Sequence, residues 1–158
     1  MGQNKCNGTN ILLKNLSSLK RMKKYLFTLI ACMCSVLSWA VEIDGINYSL
    51  DYWSEPFTAS VISKSDKYSG DIVIPSEVTY NGKTYKVTSI VYRAFYGCSS
   101  LTSVYCKPAT PPAGDSDSLM FSGNASGRKI YVPMESVEAY KSAGYWKEYA
   151  NSIEGYNF

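Results

Sequence analysis

Three short segments constrain this chain more than any other feature: Ile72-Val73-Ile74-Pro75, Val104-Tyr105-Cys106-Lys107-Pro108 and Ile130-Tyr131-Val132-Pro133. Each is an apolar–x–apolar strand closed by proline, which has no N–H to give a strand ladder. The closing prolines stand at 75, 108 and 133, hence 33 and then 25 residues apart. Stacked in parallel, the three strands form a small sheet. Strand side chains alternate between faces with a period of two. Ile72 and Ile74, Val104 and Cys106, and Ile130 and Val132 then point inward. Val73, Tyr105 and Tyr131 point out together, flanked by Asp71, Ser103 and Lys129.

Between the first two strands, apolar residues stand at 87, 90, 94, 95, 98, 101, 104 and 106. Neither a 3.6 nor a 2.0 period fits them throughout, and such recurrent irregularity is how a solenoid coil places its inward residues. Ala94-Phe95-Tyr96-Gly97-Cys98 has a worn counterpart in Met120-Phe121-Ser122-Gly123-Asn124. Upstream, Asp44-Gly45 and Asn81-Gly82 are two-residue hairpin signals, because both dipeptides tolerate positive φ. Phe57 to Ile62 and Asp71 to Pro75 read as further strands. Lys107 to Gly127 has the Pro, Gly, Ser and Asp content of an exposed loop. Val137, Tyr140 and Lys141 suit a short helix stopped at Gly144, and Trp146, Tyr149, Ala150 and Ile153 give a second apolar stripe for a capping helix. The fold class expected is α+β, mostly β.

Charge divides the chain in two. The 158 residues carry 16 Lys+Arg against 13 Asp+Glu, a formal +3. Lys5, Lys14, Lys20, Arg21, Lys23 and Lys24 all lie in the first 40 residues, which hold no acidic residue. Val41 to Phe158 therefore keeps 10 basic against 13 acidic residues, a net charge of −3, and the basic excess gives no case for nucleic acid. Lys23-Lys24, then the uncharged apolar run from Tyr25 to the small-residue end Ser38-Trp39-Ala40, has the pattern of a secretory signal peptide cleaved after Ala40. Met22 is the expected start, with residues 1–21 upstream of it. A retained spanning helix would need about 20 apolar residues. A lipobox reading of Leu29-Ile30-Ala31-Cys32 sits too early and is followed by apolar residues where a polar tether belongs. The expected organisation is 1–40 as upstream segment and leader, then one domain at 41–158. That domain divides into a hairpin cap (41–87), a repeat region (88–133) and a helical cap (134–158).

With no histidine in the chain, Ser-His-Asp and Cys-His nucleophile pairs and His-ligated metals are excluded. Of five cysteines, Cys98 and Cys106 remain after the leader, spaced to close a small disulfide loop or to sit as two buried thiols. Glu135, Glu138 and Glu148 lie on helix surfaces, Asp115 and Asp117 in the loop, and Cys98 has no base nearby in sequence, so no catalytic set and no metal or cofactor site is expected.

The run from Gly70 to Ile90, followed by Ala94-Phe95-Tyr96-Gly97-Cys98-Ser99-Ser100-Leu101-Thr102-Ser103-Val104, resembles the BspA-like leucine-rich repeat family. Ala-Phe-x-Gly-Cys-x-x-Leu-x-x-Val is that family's repeat signature. The tail is similar too, through Ala109-Thr110-Pro111-Pro112, Ile130 to Pro133, Val137-Glu138-Ala139-Tyr140-Lys141 and Trp146. The resemblance spans roughly Ile43 to Ile153. It implies a right-handed leucine-rich repeat solenoid exported by Gram-negative anaerobes, in a family associated with adhesion to host or bacterial surfaces. This chain has one clear unit and one degenerate unit, where a solenoid normally needs three or more. N-terminal hairpins and C-terminal capping helices must supply the missing burial.

The function expected is that of a non-enzymatic secreted or cell-surface binding protein whose partner is an extracellular protein or glycan. It has no membrane span after leader cleavage, and its ligand-binding residues are Tyr105, Tyr131 and Val73. Tyrosine gives large contact area at low entropy cost and is enriched in recognition surfaces, although it also serves as an ordinary cross-strand partner. The alternative is a small structural protein that assembles with copies of itself through a sheet edge.

Overall fold

Asp44-Gly45 takes φ values of 49° and 81°, and Asn81-Gly82 takes 49° and 73°. Two consecutive positive φ angles are the signature of the type I′ turn, whose twist matches that of the flanking strands. The computed structural model describes residues 40–114 and 119–158, so the expected leader and the loop acids Asp115 and Asp117 lie outside the described residues. The first turn joins β1 (Ala40–Ile43) to β2 (Ile46–Asp51), and the second joins β5 (Glu77–Tyr80) to β6 (Lys83–Ile90). Both pairs are antiparallel.

These hairpins belong to one sheet of order β1-β2-β3-β6-β5, with β3 at Thr58–Val61. Strand β3 runs parallel to β6, and a two-residue strand β8 (Ala113–Gly114) lies parallel to the last residues of β6. The second sheet contains β4 (Gly70–Ile74), β7 (Leu101–Cys106), β9 (Lys129–Pro133) and β10 (Ile153–Tyr156), in the order β10-β9-β7-β4. Every pair in it is parallel. Its register aligns Val73 with Tyr105 and Tyr105 with Tyr131, and aligns Asp71 with Ser103 and Ser103 with Lys129. The architecture is mostly β with short helical segments near the C-terminus.

The core is built from residues of both sheets. Ile74, Val104, Cys106, Ile130 and Val132 of the second sheet are buried, as are Ala59, Val61, Val87 and Ile90 of the first. Each fully buried Val, Leu, Ile or Phe side chain stabilises the fold by about 1.5–3 kcal/mol. All eight apolar positions from 87 to 106 that fitted no simple period are buried. The two Phe-x-Gly segments pack against each other. Phe95 and Phe121 stack with centroids 5.0 Å apart and planes 1° from parallel. The Phe95 N–H donates to the Met120 carbonyl at 3.2 Å, the Gly97 N–H to the Ser122 carbonyl at 2.8 Å, and Asn124 Nδ2 to the Phe95 carbonyl at 2.7 Å. Gly97 and Gly123 both have positive φ, which strains any L side chain, and a Cβ on Gly123 would press on the Gly97 Cα at 3.3 Å.

Two expectations need correction. Lys107 to Gly127 is not wholly an exposed loop: Pro108, Pro112, Met120 and Phe121 are buried, and Ala113–Gly114 pairs with β6. The C-terminal cap is not all helical. Met134–Ser136 is a 3₁₀ turn, Val137–Ser142 is helix α1 and Gly144–Ser152 is a longer 3₁₀ helix, but Ile153 begins β10. A β-branched residue buried at 153 and a glycine at 155 suit a strand passing beneath the 3₁₀ turn. A Cβ on Gly155 would stand 2.6 Å from Met134 Sδ and 3.3 Å from its Cα.

Candidate functional site: the outward face of the parallel sheet

Alternation along four parallel strands places Asp71 and Val73, Ser103 and Tyr105, Lys129 and Tyr131, and Glu154 and Tyr156 on one surface. Tyr105 and Tyr131 stack at 4.8 Å with planes 22° apart. Such a pair adds about 0.5–1.5 kcal/mol beyond its buried area. Val73, 47% exposed, continues the row beside Tyr105. The structure thus brings together all three residues singled out from the sequence.

It also adds residues that period-two reasoning missed, because it placed Ile153 in a helix. Tyr156 meets Tyr105 edge-on at 5.3 Å and Tyr131 at 5.7 Å, and Phe158 packs on Tyr156 at 5.1 Å. Tyr156 and Phe158 are 43% and 49% exposed, so they carry the aromatic surface outward. Lys107 Nζ stands 5.7 Å from the Phe158 ring centre, a cation–π contact at the margin of the cluster. The Ile153-Glu154-Gly155-Tyr156 alternation was the available signal, had the segment been read as a strand.

Polar groups border the aromatics on one side. The Thr102 hydroxyl donates to Asp71 Oδ1 at 2.8 Å, and the Ser103 and Thr102 hydroxyls together hold the Asp71 carboxyl below its usual range. Lys129 Nζ pairs with Glu154 Oε1, a bond that raises the Lys129 ammonium above its ordinary value. Partial burial, then the nearby Asp71 carboxylate, pushes the Tyr105 hydroxyl up. The face thus sets stacked phenol rings beside a hydroxyl-bonded carboxylate and a closed ion pair, an arrangement suited to recognition by contact.

Cys98 and Cys106 are both buried and both free, so the disulfide alternative is not realised. Cys98 sits in the turn after Phe95, with its N–H on the Phe95 carbonyl at 3.2 Å. Cys106 ends β7, where its Sγ lies 3.4 Å from the Tyr140 hydroxyl. Burial pushes the Cys106 thiol up to about 12. A thiol reagent at pH 8 should accordingly label neither cysteine in the native protein and both in guanidinium. Rapid labelling of the native form would show that one of them is reachable. Glu135, Glu138 and Glu148 are exposed on separate surface positions.

Compared with protein-family models and with curated proteins, the chain matches none. Among the described residues, no helix is long and apolar enough to cross a membrane.

Proposed function

We propose that this chain is an exported, non-enzymatic binding module, secreted or held at the cell surface, that contacts an extracellular protein or glycan through the outward tyrosine face. The fold reading behind the proposal is a short leucine-rich repeat solenoid of the BspA-like kind. Its support is the four-stranded parallel sheet and the stacked Phe95 and Phe121 turns, which behave as two coils of one repeat. The observation that carries the functional reading is the row Val73–Tyr105–Tyr131, extended by Tyr156 and Phe158. A stacked, partly exposed aromatic cluster beside a charged border has the composition of an interface centre.

The test uses Tyr105→Ser with Tyr131→Ser, assayed against immobilised extracellular-matrix proteins and mucin glycans. The double variant should stay folded, since its side chains lie outside the core, and should lose at least about tenfold in affinity for whichever probe binds the parent. Unchanged binding removes the face from consideration. The alternative, self-assembly without a separate ligand, rests on the open edges of β4 and β10. A monomer in size-exclusion chromatography with light scattering would dismiss it.

A further inference from the structure

Strand β4 is the outer strand of its sheet, and hydrogen bonds fix which of its backbone groups are used. The Gly70 N–H donates to the Ser100 carbonyl at 2.7 Å and the Ile74 carbonyl accepts from the Lys107 N–H at 2.9 Å, so the even-numbered residues face β7. In a parallel ladder, alternate residues bond the same neighbour. The N–H and C=O groups of Asp71 and Val73 therefore point away from β7, and β4 pairs with no other described strand. They open into a groove of about 590 Å³ between β4, the Asp44-Gly45 turn and the segment around Tyr68. Its apolar lining includes Ile43, Ile46, Ile72 and Val78.

Three lysines and three aspartates line the groove, and among the described residues Lys64 is the one of the six held in an ion pair, which leaves the aspartates in excess by one. Lys64 pairs with Glu42, Lys67 donates to the Tyr96 carbonyl at 3.1 Å, and Lys107 lies over Phe158. Asp44, Asp66 and Asp71 also line the groove; Asp71 accepts from the Thr102 hydroxyl, and no described basic side chain lies within ion-pair distance of any of the three. We infer that the free edge of β4 is a second recognition site, which binds an extended, basic peptide strand of another protein. Backbone pairing with Asp71 and Val73 sets the strand conformation, as in β-strand addition. Cross-strand pairing sets the side chains: Lys or Arg beside Asp71, an apolar residue inward beside Ile72, and an aromatic or β-branched residue beside Val73.

A displayed library of seven-residue peptides, panned on the purified protein, tests this. Enriched peptides should carry a basic residue two positions from an aromatic or β-branched one, before it for a parallel and after it for an antiparallel strand. N-methylation of a selected peptide at the N–H groups facing β4 should weaken binding about tenfold or more per bond lost, and methylation at the alternate positions should not. Val73→Pro removes an N–H that no β7 bond uses, at an edge position where proline fits. It should abolish peptide binding and leave the circular dichroism and melting curve unchanged, and Asp71→Asn should erase the basic preference. Absence of enrichment, binding indifferent to N-methylation, or concentration-dependent self-association that Val73→Pro abolishes would each overturn the assignment, the last by giving the edge to a second copy of the chain.

Discussion

Trp146→Ala should destabilise the domain by about 3–5 kcal/mol, the range for truncating a buried aromatic. Trp146 is 1% exposed and meets Tyr140 edge-on at 4.8 Å and Phe121 at 5.9 Å. Its Nε1 donates to the Pro112 carbonyl at 2.8 Å. Tyr140 makes the equivalent bond one turn of chain earlier, its hydroxyl donating to the Pro108 carbonyl at 2.6 Å. These two side chains from the C-terminal helical segments therefore fasten the 108–112 stretch, which is proline-rich and has few N–H groups of its own. Truncation opens a cavity and leaves the Pro112 carbonyl without this donor, which places the loss toward the upper end of that range. Domains of this size keep about 5–15 kcal/mol in all, so the melting temperature should fall by more than about 10 °C. Trp146→Phe should recover most of the loss but not the hydrogen bond. A change below about 1 kcal/mol in urea unfolding would mean that the helical cap does not hold this stretch.

The second large effect is unfolding in alkali. Tyr48, Tyr68 and Tyr140 are buried, and desolvation raises the pKa of each; that of Tyr68 reaches about 12 from an ordinary 10.0. The Cys106 thiol rises to about 12 from 9.0 for the same reason. A raised folded-state value means that the native protein holds its proton more tightly than the unfolded chain. The stabilisation is complete below about pH 9 and drains away as pH climbs toward about 12. Absorbance at 295 nm should show two phases. The later phase should hold the phenols of Tyr48, Tyr68 and Tyr140 and should appear only with the loss of far-ultraviolet circular dichroism. One ionisation phase for all tyrosines below about pH 11, with secondary structure intact, would contradict the burial of these three hydroxyls.

The parts of the fold legible in the sequence were those governed by local rules. Proline stops and period-two alternation marked β4, β7 and β9 and put Val73, Tyr105 and Tyr131 on one face. Positive-φ dipeptides marked both hairpin turns. What stayed hidden depends on tertiary context. Strand β8 is two residues held by backbone pairing, with no side-chain pattern to betray it. Strand β10 lacks a closing proline and has only one inward branched residue, so its apolar positions ran on from the helical stripe before it. Met120 and Phe121 are buried inside a stretch whose composition reads as loop, because Phe95 supplies the stacking partner from 26 residues away. The groove beside β4 could not be read at all, since its walls come from three separated parts of the chain.

Every neighbour in the β10-β9-β7-β4 sheet arrives from a separate passage of the chain, and none through a hairpin. Each pairing must close a loop of roughly 20–30 residues before it returns any contact energy. The two hairpins close over two residues and form on the microsecond scale, far ahead of such crossovers. The topology therefore predicts an order in time, the antiparallel ribbons before the parallel sheet and its aromatic face, which pulse-labelled hydrogen exchange during refolding would check.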